Sequence, residues 1–235
     1  MSKRAIILAG GKGTRLKPYT IVLPKPLVPI GELPILEIVL RQLKQQGFTH
    51  ITMAVNHMAE LIMAFFGDGS KWEIKIDYSM EDRPLSTMGP LKLIEDLPDN
   101  FLVMNGDILT DLKYGQFFDQ HVQHDHIFTI SSFTRRDKSE YGILETNEQH
   151  TLTAFKEKPE STFEVSMGIY ALNKRVLDFI PDDTFFGFDH LMYALIENNK
   201  KVAVNNHDGI WLDIGRPVDF QNAIDLFEKE GDKFL

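Results

Sequence analysis

The chain has 235 residues, 43% of them hydrophobic and 25% charged, with no cysteine and a formal net charge of −9. This balance predicts a folded globular protein, excludes disulfide scaffolds and thiolate metal sites, and argues against nucleic acid, whose phosphates require basic partners. The charge is unevenly spread: residues 1–31 hold Lys3, Arg4, Lys12, Arg15, Lys17 and Lys25 and no acid, which points to a local anion site.

Apolar clusters rich in Ile, Val, Phe and Thr predict strands near 4–9, 50–55, 73–78, 101–105, 127–133, 141–146, 151–156, 165–172 and 201–204. Between them, helical spacing predicts a helix from Pro34 to a stop at Gly47, and others near 58–66, 89–96, 114–123, 174–179, 188–198 and 217–229. Strands alternate with helices to about residue 125, and strands then follow one another to 172. The fold class expected is α/β: a doubly wound, mostly parallel, Rossmann-like mixed sheet with helices on both faces and a small antiparallel addition. The length predicts one domain over 1–235. The first apolar run stops after Ala9, short of the roughly 7 residues of a secretory core, and no run reaches the ~18 that cross a bilayer. A cytoplasmic protein without membrane contact is expected.

The stretch "LAGGKGTRL" at 8–16 follows the first predicted strand, where open sheets of this class bind ligands. Glycines let backbone N–H groups converge on an anion, and Lys12, Thr14 and Arg15 add charge and donors, so the loop is suited to a polyphosphate. It is not a P-loop, because Ile6 stands where the first glycine belongs, and Leu16 replaces the third glycine of the dinucleotide fingerprint. In "LPKPLVPI" at 23–30, Lys25 lies between two prolines that predict a stiff, extended segment. Asp107 and Asp213 each follow an apolar stretch. Alone, each reads as a turn or cap residue, although two such carboxylates with substrate phosphates would suit magnesium. His121 and His124 in "HVQHDH" have helical ligand spacing without a partner motif, so a solvated surface is expected there.

Taken together, "LAGGKGTRLKPYT", "LPKPLVPI", "VMNGDIL" at 103–109, "FKEKPE" at 155–160, "SMGIYAL" at 166–172 and "WLDIGRPVDF" at 211–220 resemble the signature of the sugar-1-phosphate nucleotidyltransferases. The resemblance implies transfer of a nucleoside monophosphate from a nucleoside triphosphate to a sugar-1-phosphate, with Mg2+ as cofactor. It implies catalytic roles for Arg15, Lys25 and Asp107, and metal ligation by Asp107 and Asp213. Leu8, Gly10, Gly11, Lys12, Gly13, Thr14, Arg15 and Gly89 would contact the nucleotide, in a part spanning about 1–125. Gly142, Glu157, Lys158, Ser166 and Gly168 would contact the sugar phosphate, in a part spanning about 126–235. Without the resemblance, Glu157 and Lys158 read as an exposed charged loop.

The chain departs from the family pattern in its base-reading segment, 81–94, often "EEPLGTAG". Ser86 replaces the first glycine and Met88 the alanine, while Ser166 stands where asparagine is common. Its end after the helix that follows "WLDIGRP" resembles the short members that lack a C-terminal β-helix. GTP with mannose-1-phosphate or a heptose-1-phosphate is the preferred pair. UTP, CTP or dTTP with N-acetylmuramate-1-phosphate or glucose-1-phosphate is the alternative. A non-catalytic nucleotide-sugar sensor is the alternative of another class, against which Arg15, Lys25, Asp107, Lys158 and Asp213 are all present. The aromatic stretch "DTFFGFDHLMY" at 183–193 is the candidate surface for a homodimer, although packing of helix 188–198 accounts for most of it.

Overall fold

A computed structural model describes residues 3–235. Strand β1 (Lys3–Leu8) is enclosed through Ala5, Ile6 and Ile7 and leads into the glycine loop. Two 3₁₀ turns, Thr14–Leu16 and Lys25–Leu27, precede a short antiparallel pair, β2 (Pro29–Ile30) and β3 (Leu33–Pro34). Pro34 is the extended N-cap of helix α1 (Ile35–Gln45), one residue earlier than its predicted place in the first turn. The first half continues with β4 (Phe48–Val55), α2 (Ala59–Phe66), β5 (Lys75–Met80), β6 (Asn100–Asn105), β7 (Ile108–Thr110) and α3 (Tyr114–Gln123). The second half holds β8 (Phe128–Lys138), β9 (Ile143–Thr146), β10 (Leu152–Lys156), β11 (Glu160–Asn173), α4 (Phe188–Glu197), β12 (Val202–His207), β13 (Trp211–Asp213) and α5 (Pro217–Glu230). The helices expected at 89–96 and 174–179 are 3₁₀ turns, Gly89–Leu93 and Lys174–Phe179. Pro90 removes a donor from the first, and Pro181 lies just beyond the second.

Among the described residues, seven strands form the main sheet in the order β12-β8-β11-β6-β1-β4-β5. Strands β6, β1, β4 and β5 run parallel, while β11 is antiparallel to both β6 and β8, and β12 is parallel to β8. Of the strands that follow one another from residue 127 to 172, β8 and β11 therefore belong to the main sheet, while β9 and β10 form a separate two-stranded arm. The buried end of β11 explains this: Ile169, Ala171 and Leu172 are sealed from water, and pairing with β6 on one side and β8 on the other satisfies their backbone.

The period-2 alternation of β1 divides the core. Ala5 and Ile7 pack with Leu36 and Leu40 of α1, Ile62 of α2 and Phe117 of α3 on one face. Ile6 packs with Leu191 and Leu195 of α4 on the other. A third cluster joins Leu16, Val28 and Ile30 to Ile214, Phe220 and Ala223, so α5 clamps the N-terminal loops. In the aromatic stretch, Phe186 and Phe188 pack against the core, leaving Tyr193 and Ile196 of α4 exposed. No helix among the described residues is long and apolar enough to cross a membrane.

Of the histidines at 121–126, His124 is exposed as expected, while His121 departs from the solvated surface. His121 is buried in α3 with Nδ1 2.8 Å from Thr129 Oγ1. Burial and the neighbouring His126 push it down to about 4. Among the described residues, no group of three or more His, Asp or Glu is arranged to hold a metal. Since the unfolded chain takes up a proton near pH 6.5 that folded His121 refuses, acidification from 6.5 toward 4 removes stability, up to roughly 3 kcal/mol. We expect urea titrations at pH 7 and pH 4.5 to give a smaller acid-induced loss for His121→Gln than for the natural chain. Equal losses would place the acid sensitivity elsewhere.

Candidate active site

The carboxyl ends of β1, β4 and β6 open into a cleft of about 430 Å³. From β1, Leu8, Gly10, Gly11 and Lys12 line its wall. Gly10 permits close passage, since a Cβ there would lie 3.2 Å from Asn56 Cβ and 3.3 Å from Glu81 Oε1. Gly11 has open space around it and Lys12 is exposed, so both are accessible to a ligand. The chain then turns aside. Gly13 adopts φ 59° and its carbonyl accepts the Thr20 hydroxyl at 2.8 Å, and neither Gly13 nor Thr14 lines the cleft. Burial of Leu16 pins this turn and sets Arg15 beside Asp213. A Cβ on Gly215 would be 3.6 Å from Arg15 Nη2 and 3.7 Å from Asp213 Oδ2.

Lys25 is not extended as its place before Pro26 predicted. It opens a 3₁₀ turn in which the Leu27 N–H donates to Pro24 O at 2.9 Å and the Val28 N–H to Lys25 O at 3.1 Å. These bonds, with burial of Pro26, Leu27 and Val28, outweigh the steric bias against a turn at that position. The turn aims Lys25 Nζ at Asp107 Oδ2, and both side chains of this ion pair are largely buried.

Asp107 lies between β6 and β7, and its second oxygen, Oδ1, is buried without a hydrogen-bond partner among the described residues. Strand β13 pairs antiparallel with β7, so Asp213 stands opposite Ile108, and the Ile214 N–H donates to Asp107 O at 3.2 Å. Further bonds lash the two segments together: Thr110 Oγ1 donates to Ile210 O at 2.6 Å, and Asp111 Oδ1 accepts the Ile210 N–H at 2.7 Å. Burial first and the Asp107 charge second hold the Asp213 carboxyl above its ordinary range, against the opposing pull of Lys25 and Arg15. An orphaned carboxylate oxygen beside a second carboxylate is a hard oxygen donor set of the kind a divalent cation takes.

The other sequence candidates fall at different distances from this centre. The register of β11 against β8 shifts between Ser166 and Tyr170, and within that irregularity Ser166 Oγ accepts the Gly168 N–H at 3.2 Å. Gly168 has φ 74°, and a Cβ there would lie 2.7 Å from Nδ2 of Asn105, a residue of the cleft wall. Gly142, Glu157 and Lys158 belong to the exposed arm around β9 and β10, and none lines the cleft. On that arm a Cβ on Gly142 would strike the Phe155 ring and lie 3.1 Å from Glu157 Oε2. Gly89 is also set apart, with its N–H donated to Phe186 O at 2.9 Å and room for no Cβ against Thr184 O.

Several lining residues lay outside the sequence candidates, among them Asn56, Glu81, Thr87, Asn105 and Phe185. Glu81 accepts the Leu85 N–H at 2.9 Å through Oε2, and burial pushes its carboxyl up. Glu81 and Thr87 sit inside the segment already read as base-contacting, whereas Asn56 and Phe185 carry no motif. Phe185 comes from the second half of the chain, so the cleft is not confined to residues 1–125.

A family model described as nucleotidyl transferase matches residues 4–230. The chain belongs to the nucleotidyl transferase family. Among its relatives, the UTP–glucose-1-phosphate uridylyltransferase of Synechocystis sp. is 34% identical over 94% of this chain. The mannose-1-phosphate guanyltransferase of Candida albicans is 30% identical over 95% of it. This nucleotidyl transferase spans 62% and 64% of the lengths of those two relatives. Among solved structures, HddC from Yersinia pseudotuberculosis superposes with a TM-score of 0.74 at 29% identity, covering 96% of this chain and 99% of that one. The same protein in complex with GMP-PN superposes with a TM-score of 0.72.

The family match leaves the electrostatics of this site to be tested. Lys25→Met would leave the largely buried Asp107 carboxylate without its cation and near the charge of Asp213, and in the presence of chelator we expect it to lower unfolding free energy by about 1–3 kcal/mol. Adding Asp107→Asn should restore most of that loss in denaturant titrations. A double variant no more stable than the single one would mean that charge pairing is not what Lys25 contributes.

Proposed function

We propose that this nucleotidyl transferase joins a nucleoside triphosphate to a sugar-1-phosphate, giving a nucleoside-diphosphate sugar and pyrophosphate. The observation that carries this reading is the meeting of Asp107 and Asp213, from distant parts of the chain, with Lys25 and Arg15 beside the Gly10–Lys12 loop. In the reaction an oxygen of the sugar phosphate attacks the α-phosphorus, and the bond to the β-phosphate oxygen breaks as pyrophosphate leaves. That nucleophile is already anionic near neutral pH, so no general base is required. The protein must instead hold two anions in line and offset their repulsion.

In this reading the Gly10 and Gly11 backbone and Lys12 receive the triphosphate, and Arg15 offers its planar fork to the departing phosphates. Lys25, freed from Asp107, reaches the α-phosphate. Asp107 and Asp213 would hold Mg2+, whose chemical contribution when bound is to neutralise phosphate charge. The buried, unpartnered Oδ1 of Asp107 is the feature that fits it. Ser166 and Gly168 lie nearest the cleft among the sugar candidates, and Glu157 and Lys158 would approach from the arm. Nucleoside triphosphates as substrates support a cytoplasmic setting.

The preferred pair is GTP with mannose-1-phosphate or a heptose-1-phosphate, supported by the guanyltransferase relatives and by the solved complex with GMP-PN. The uridylyltransferase relative from Synechocystis sp. supports UTP with glucose-1-phosphate as the second reading. Pyrophosphate release measured across four triphosphates and a panel of sugar-1-phosphates, with magnesium and with chelator, tests both. Turnover with GTP and a mannose- or heptose-type phosphate, abolished by chelator, is the expected result; binding without turnover on every pair would overturn it. We further expect Lys25→Ala to lower kcat more than triphosphate affinity, and an unchanged kcat would remove that lysine from the chemistry.

A further inference from the structure

We propose that Phe185 is a binding residue for the nucleotide base, forming an aromatic wall of the cleft against which a purine stacks. This rests on the nucleotide-binding reading above and adds to it a residue that no sequence motif marks. In "TFFGF", Phe186 and Phe188 pack against the core, and Phe188 stacks on Tyr170 at 4.8 Å between centroids. Phe185 alone turns outward, 62% exposed, and lines the cleft. Covering this ring with a ligand removes apolar area from water, which favours binding.

The ring does not sit on a free loop tip. The backbone just after it is sewn to the 83–92 segment. The Phe186 N–H donates to Leu85 O at 3.0 Å, the Met88 and Gly89 N–H groups both donate to Phe186 O at 2.9 Å, and the Phe188 N–H donates to Thr87 Oγ1 at 2.8 Å. Two ion pairs, Arg83 with Asp183 at 2.7 Å and Lys92 with Asp182 at 2.9 Å, close the same seam from outside. The closeness depends on Gly89, where a Cβ would lie 2.7 Å from Thr184 O. Ser86, at φ 67°, turns the backbone along this seam. Phe185 is thus presented at a fixed place, so little rotational freedom is lost when a ligand covers it.

The lining divides by chemistry. Lys12, Lys25 and Asp107 suit phosphates and their counter-ions, whereas Pro84, Thr87, Phe185 and the carboxylate of Glu81 offer flat apolar surface and acceptors for a heterocycle. A base is the part of a nucleoside triphosphate with a π-face, and purines present the larger one. Stacking tolerates sequence differences and needs no particular edge, so it adds affinity that the Ser86 and Met88 replacements leave intact.

Titration calorimetry of the full chain with GTP and with inorganic tripolyphosphate, each with magnesium, tests the proposal. Phe185→Ala should weaken GTP binding about tenfold while tripolyphosphate, which has no base, binds as before. Phe185→Tyr should bind GTP like the natural chain. The proposal is overturned if Phe185→Ala retains GTP affinity, if it loses tripolyphosphate equally, or if its loss appears only toward the sugar-1-phosphate. A natural chain that binds neither GTP nor tripolyphosphate would overturn the proposed function and this inference together. One that binds GTP with or without the ring sinks only the inference.

Discussion

The pairing of β13 with β7 brings Asp213 close enough to Asp107, a residue of the cleft, for their charges to oppose each other, and the rest of the site is arranged around that concentration of negative charge. Lys25 answers it directly through Asp107, and Arg15 answers it from the side of Gly215. Like charges at close range in a desolvated setting are stable only with such compensation. The same arrangement leaves Asp107 Oδ1 without a hydrogen-bond partner among the described residues, an acceptor open to a ligand.

Holding these charges together requires support away from the chemistry. The third apolar cluster fixes Leu16 and Val28 against α5, while Leu27 of the Lys25 turn packs in the cluster of the main sheet and α1, so the two basic turns are anchored on both. Asp111, through the Ile210 backbone and His207, anchors the strand that carries Asp213. The third cluster also holds Leu109 of β7 and Ile214 beside Asp213, so cations and carboxylates share an apolar anchor. That shared anchor couples the packing of Phe220 and Ala223 to the spacing of the charges.

Glycine is used here for proximity more than for turning. Gly10 and Gly89 have no positive φ, yet each stands where a side chain would collide: with Asn56 and Glu81 in one case, and with Thr184 in the other. Gly168 combines both needs, a left-handed backbone and close contact with Asn105. Ser86 takes a left-handed conformation without being glycine, a strain that the neighbouring backbone pairing with 184–188 is placed to sustain.

The amino-acid sequence by itself determined the alternation of strands and helices, the two-faced apolar pattern of β1, and the chemical types gathered in the glycine loop. These are local properties: period 2 against period 3.6, and the conformational range of glycine and proline. It also marked Arg15, Lys25, Asp107 and Asp213 individually, but their meeting depends on β13 adding to β7 across about a hundred residues, which no local pattern encodes. The same long-range pairing reversed local expectations. Lys25 turned because burial of its neighbours outweighed a proline bias, and His121 went inside because Thr129 on β8 offered it a partner. Antiparallel β8 and β11 joined the main sheet because the apolar end of β11 needed cover on both edges. Only the tertiary structure decided which residues line the cleft. Phe185 stands there through backbone bonds to a loop about a hundred residues away, and side chains brought together by such bonds leave no spacing in the chain to read.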